Sequence, residues 1–108
     1  MNVLVIGIGN LGKRYLEGLT KIHKIKIHVY DKNKNALKDI ENIYKNKIKK
    51  IYINRSLNRV TLKKFDLCIL STTATSRHIL IKKIINKFEI NIWILEKLVS
   101  NQIENLDK

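Results

Sequence analysis

Short apolar runs alternate along this chain with longer stretches in which apolar residues return every three or four positions. The runs predict strands near residues 2–6, 25–30, 50–53, 66–70 and 91–95. The periodic stretches predict helices near 10–22, 33–46 and 75–88, and a last helix opens near Asn101. One helix carries Leu11, Tyr15, Leu16, Leu19 and Ile22 on a stripe; another carries Leu80, Ile81, Ile84, Ile85 and Phe88 opposite Lys82, Lys83 and Lys87, so each should lie against a sheet. Ile90 to Leu95 is apolar on both alternating faces, which suits a strand covered on each side and makes Trp93 structural. Ser56 to Phe65, with Leu57, Val60 and Leu62, suits a short helix or a turn. Strand and helix in strict alternation call for crossover connections. The expected fold is an α/β, Rossmann-type doubly wound parallel sheet of about five strands in the order 3-2-1-4-5.

Where the first strand ends, Gly7-Ile8-Gly9-Asn10-Leu11-Gly12-Lys13-Arg14 has the G-x-G-x-x-G spacing of a dinucleotide-binding turn. Each glycine relieves a different conflict: Gly7 permits a tight turn through positive φ, Gly9 lets the backbone approach a pyrophosphate, and Gly12 lets the helix pack closely. The amides of this turn, those of Asn10 and Leu11 included, would then face an anion at the positive end of the helix. Asp31, closing the strand Lys26 to Tyr30, stands about 20 residues further on, where a carboxylate can accept both hydroxyls of an adenosine ribose. It would repel a 2′-phosphate, so NAD is favoured over NADP, although Lys32 and Lys34 beside it soften the preference. A plain alternative for Asp31 is a cap on the following helix.

The 108 residues fit one domain, and no apolar stretch is long enough to span a membrane. The single cysteine, Cys68, lies in an apolar run, which excludes an internal disulfide framework, makes a reactive thiol unexpected and suits a reducing cytoplasm. His23 and His28 lack companions at ligand spacing, so no metal site is expected. Twenty-two Lys and Arg against nine Asp and Glu leave a formal charge of +13, which attracts any polyanion. The lysines are nevertheless spread along the chain, densest at Lys45, Lys47, Lys49 and Lys50, and no nucleic-acid module is recognisable. Heavy use of Ile, Lys and Asn with no proline matches AT-rich coding, which accounts for part of the charge. Specific nucleic-acid binding is therefore not expected, and an acidic partner surface is a further explanation for the charge.

In the second half, Asp66 to Leu70 delivers the polar segment Ser71-Thr72-Thr73-Ala74-Thr75-Ser76-Arg77-His78 to the carboxyl edge of the sheet, where ligands bind in open α/β folds. Ile92 to Leu95 brings Glu96 and Lys97 to the same edge. In order and motifs the chain resembles, across nearly its whole length, the N-terminal domain of the glucose-fructose oxidoreductase and inositol dehydrogenase (Gfo/Idh/MocA) family. That family has a glycine turn, an acid after the second strand, an Ala-Thr-Pro-x-x-x-His loop and a Glu-Lys-Pro signature. Here Gly7, Gly9 and Gly12, Asp31, Thr72 to His78 and Glu96-Lys97-Leu98 stand in their places, with Ala74 and Leu98 where the family has proline. The resemblance implies that Ser71, Thr72, Thr73, Thr75, His78 and Glu96 lie around the cofactor. It also implies that Lys97 is the catalytic residue, reaching the nicotinamide ribose and the substrate hydroxyl.

Members of that family continue into a substrate domain that supplies the sugar pocket and a proton acceptor. The expectation is that residues 1–108 are the cofactor half of a larger two-domain sugar or polyol oxidoreductase, binding dinucleotide without turnover alone. A missing substrate domain or partner subunit, and pairing of copies through an exposed last strand, are the partners this implies. The competing expectation is a NAD-sensing or partner-binding module with no catalysis of its own.

Overall fold

The computed structural model describes residues 1–22, 24–44, 51–54, 56–71 and 77–96. The chain runs β1 (Asn2–Ile6), α1 (Asn10–Thr20), β2 (Lys26–Tyr30), α2 (Lys34–Tyr44), β3 (Ile51–Asn54), a 3-10 turn (Leu57–Arg59), β4 (Lys64–Leu70), α3 (Arg77–Lys87) and β5 (Glu89–Leu95). All five strands are parallel, in the order β3-β2-β1-β4-β5, which is the Rossmann-like arrangement the alternation predicts. The helix expected near Asn101 and the lysine cluster at 45–50 lie outside the described residues.

Alternation along the strands divides the core in two. Val3, Val5, Ile27, Val29 and Ile69 meet Leu16, Leu19, Leu37 and Ile40 of α1 and α2 on one face. On the other, Leu4, Ile6, Cys68 and Leu70 meet Val60, Ile84 and Phe88. β1 sits between β2 and β4 with helices above and below, so Val3 to Ile6 are all buried. This double coverage is why the run has no polar position. Burial pushes the Cys68 thiol up to about 12, so it stays protonated at neutral pH, in line with an inert cysteine.

Two packing expectations are corrected at the right-hand edge of the sheet. Among the described residues β5 pairs only with β4, and Ile92 is 61% exposed; the described elements do not cover the strand on both sides as its apolar pattern suggests. Ile85 is likewise exposed, because only Ile84 of α3 and Phe88 just after it are fully buried in the core, with Leu80 and Ile81 at its margin. The apolar stripe is narrower than the sequence implied. Ser56 to Phe65 resolves into the 3-10 turn, capped by the Ser56 hydroxyl accepting the Asn58 amide at 3.1 Å, and the first two residues of β4.

His28 packs between aromatic rings, stacked on Tyr52 at 4.8 Å and edge-on to Phe65 at 5.4 Å. Its Nδ1 is buried without a partner among the described residues. Desolvation, aided by the positive charge of Lys26, holds its pKa below the usual 6.5. The unfolded chain therefore takes up this proton at a higher pH than the folded one does. Stability should be complete above about 6.5 and fall as pH drops through that value toward the lower folded pKa. Thermal melts at pH 7.5 and 5.5 should show a loss that His28→Phe diminishes. An identical loss in the variant would clear His28 of any part in it.

Candidate functional site

The strand registers align the carboxyl ends of four strands in one row, Tyr30, Ile6, Leu70 and Leu95. The residues that follow are Asp31, Gly7, Ser71 and Glu96, so four positions singled out from sequence leave the sheet side by side. Backbone bonds extend the ladder into them: the Gly7 amide donates to Tyr30 O, Ser71 to Ile6 O and Glu96 to Leu70 O, each at 2.9 Å. The row crosses the switch point between β1 and β4, where the strand order reverses, the place at which open α/β sheets hold their ligands.

At the centre of that row, Gly7 has φ 91°, a conformation that side chains disfavour, and it turns the chain from β1 into the helix. Gly9 is the N-cap of α1 and offers no side chain to its free amides; no acidic residue lies in the first turn to neutralise its positive end. Lys13 closes the first helical bond onto Gly9 O at 2.9 Å. A Cβ on Gly9 would meet nothing within 4 Å, whereas one on Gly12 would fall 2.0 Å from Gly7 O. The two glycines thus answer different needs. Gly12 is required by the packing of the protein itself, and Gly9 leaves open space at the uncapped N-terminus of α1. These amides and that space fit an anionic group such as a pyrophosphate.

Asp31 is brought onto this turn. One carboxylate oxygen accepts the Ile8 amide at 2.7 Å, inside the glycine loop, and the other accepts the Asn33 amide at 2.8 Å. The helix-capping role falls instead to Asn33, whose side chain accepts from Asn35 at 2.9 Å and Ala36 at 3.2 Å. With two backbone donors fixing it, the carboxylate retains lone pairs for hydroxyl donors arriving from the crevice. Lys32 is exposed beside it.

On the other side of the switch point, Ser71 is 2% exposed and its Oγ has no partner among the described residues. An unpaired hydroxyl at such depth costs roughly 1–3 kcal/mol, a cost that a ligand contact would remove. Glu96 is tied down from two directions that its sequence position did not announce. The Tyr15 hydroxyl of α1 donates to its carboxylate, and the Arg77 guanidinium of α3 donates to its backbone oxygen. That bond to Glu96 is the main reason the Tyr15 phenol sits above its ordinary pKa. In the sequence Tyr15 is one position of an apolar stripe and Arg77 part of the polar segment after the fourth strand; only the fold sets both against the end of β5. His78 stands exposed in the first turn of α3. Thr72, Thr73, Thr75 and Lys97 lie outside the described residues, as do the side chains of Asn10 and Leu11.

Among the described residues no group of His, Cys, Asp or Glu could hold a metal ion, and no helix is long and apolar enough to cross a membrane. No protein-family model matches the chain, and neither does any curated protein. Solved structures do. A protein from Thermoplasma acidophilum assigned as a methyltransferase superposes with a TM-score of 0.66 at 20% identity, over 96% of this chain and 46% of its own. L-tryptophan dehydrogenase from Nostoc punctiforme superposes with a TM-score of 0.62 at 17% identity, over 98% of this chain and 30% of its own. At such identities the likeness establishes the Rossmann-like fold. The chain spans less than half the length of either structure.

Proposed function

We propose that this chain is the NAD(H)-binding part of an oxidoreductase acting on secondary alcohol and carbonyl groups, of the sugar or polyol type. The observation that carries the reading is the bond from the Ile8 amide to the Asp31 carboxylate, with open space at Gly9 beside it. It puts an acid suited to ribose hydroxyls next to amides suited to a pyrophosphate, and an adenine dinucleotide carries both groups. NAD would supply the hydride chemistry; the protein's part is to bind and orient it. Gly7, Gly9, Asn10, Leu11 and Gly12 would cradle the phosphates, Asp31 with Lys32 would hold the adenosine ribose, and Ser71 would face the nicotinamide half. Glu96, steadied by Tyr15 and Arg77, would fix the backbone that presents Lys97 to a substrate hydroxyl, while Thr72, Thr73, Thr75 and His78 would close around the cofactor.

The Gfo/Idh/MocA resemblance and the dehydrogenase likeness support this reading; the substrate pocket belongs to a further domain or subunit. Isothermal calorimetry with NADH at moderate salt should give saturable one-site binding without turnover of sugars. A flat titration would end the proposal. Asp31→Ser should shift the affinity ratio of NAD to NADP toward NADP by about tenfold, since a charge-assisted bond to hydroxyl and the repulsion of phosphate vanish together. An unchanged ratio would remove Asp31 from the ribose site.

The methyltransferase likeness supports a second reading, an adenosine-bearing methyl donor held by the same carboxylate. Such a ligand has no pyrophosphate and leaves the amides of α1 without an anion. Tighter calorimetric binding of S-adenosylmethionine than of NADH would select it. A NAD-sensing module without catalysis uses the same cradle and differs only in what the chain joins.

A further inference from the structure

The connection from β3 to β4 contains a single 3-10 turn among its described residues, where the helical crossovers elsewhere run to eleven residues. Leu57 and Val60 from this segment reach the core cluster over β1 and β4. The outer part of that face, on β2 and β3, carries Lys26, His28 and Tyr30 on one strand and Tyr52 and Asn54 on the next, with His28 paired to Tyr52 and Tyr30 to Asn54 in register. Tyr52 is 42% exposed, although its ring is stacked on His28 at 4.8 Å with 18° between planes. Phe65 braces His28 in turn, edge-on at 5.4 Å. The tyrosine is thus held by packing while it still presents surface to solvent, so little rotamer freedom remains to be lost when something lies against it.

We propose that this face binds single-stranded nucleic acid, with a base stacking on Tyr52 and a phosphate neutralised by Lys26. Two independent features support this reading. The whole chain carries +13, which draws a polyanion from solution and favours counterion release. The stacked rings supply what charge alone does not, a flat apolar platform that any base can use, as in sequence-tolerant strand binding. Lys26 is exposed on the same face two residues before His28, and its charge is felt at that ring. Arg59 is exposed at the end of the 3-10 turn. An acidic protein or an anionic lipid surface would satisfy the charge but does not call for a flat ring held face-open to solvent. Sequence-specific recognition, which the absence of a known module argued against, is no part of this proposal, and neither is the dinucleotide site.

The test is fluorescence anisotropy of a labelled oligouridine of about twelve nucleotides, within the range of known strand footprints. It is titrated with the full chain at roughly 50 and 200 mM salt. Wild type should saturate and weaken with salt, Tyr52→Phe should match it, Tyr52→Ala should bind about tenfold more weakly, and an abasic oligomer of equal length should bind like that variant. Gly9→Val should bind oligouridine as wild type does, which separates this site from the dinucleotide site. Independently of any variant, ultraviolet cross-linking of the wild-type chain to oligouridine should place the adduct on the peptide containing Tyr52. Equal affinity for the abasic oligomer, tighter binding to anionic vesicles, a Tyr52→Ala variant that binds like wild type, or adducts confined to other faces would each overturn the proposal.

Discussion

Gly12→Ala is expected to destabilise the protein by about 3 kcal/mol and to lower its melting temperature by roughly 10–20 °C, although it adds one methyl group. In helices alanine normally replaces glycine with a gain of about 1 kcal/mol. Here that gain is overridden because the new Cβ would fall 2.0 Å from Gly7 O and 3.0 Å from the Gly7 carbonyl carbon. Both atoms are backbone. They cannot swing aside, since Gly7 is held at φ 91° and its amide is bonded to Tyr30 O at 2.9 Å. Relief requires α1 to lift from the sheet, which would uncover Leu16 and Leu19 from the core beneath it. Circular dichroism melts of the two proteins decide the matter. A variant that melts within a degree or two of wild type would mean that helix and turn are not so close.

Gly9→Val should have the opposite profile, a fold retained and NADH affinity reduced at least about 100-fold. A side chain at Gly9 meets no protein atom within 4 Å, and the residue has φ −74° and ψ −164°, extended values that valine adopts readily. The stability cost is limited to a poorer N-cap, about 1 kcal/mol or less. The side chain would stand at the N-cap of α1, where a pyrophosphate would have to approach the backbone. Calorimetry with NADH, beside a melt showing the fold unchanged, measures both halves of the prediction. Undiminished affinity in a folded variant would place the ligand elsewhere. A glycine kept for packing and a glycine kept for a ligand thus separate by experiment, though they stand three residues apart in one motif.

That separation also shows where reading the residues alone stops. The G-x-G-x-x-G spacing marks all three glycines alike, because local sequence records that a side chain is missing and not what would have collided with it. Asp31 is a similar case. Its place after an apolar strand allowed both a ribose contact and a helix cap, and the choice turned on Asn33 taking the cap and on the Ile8 amide, 23 residues away, reaching the carboxylate. Glu96 was legible as a polar strand end, but its partners come from α1 and α3, 81 and 19 residues distant.

The strands, the helices and the residues that close each strand, Gly7, Asp31, Ser71 and Glu96, follow from periodicity and turn chemistry, which are properties of neighbouring residues, and the order 3-2-1-4-5 is the one expected of a Rossmann-type alternation. Coverage does not follow in this way. Ile92 and Ile85 are as apolar as Val5 or Ile84, yet they are exposed, because no described element packs over these positions of β5 and α3. The pairing of His28 with Tyr52 likewise depends on how two strands register after a crossover. Short-range pattern determines which way the backbone runs; what each side chain touches is decided only when distant segments are brought together, since contact is a relation between residues the chain order does not place side by side.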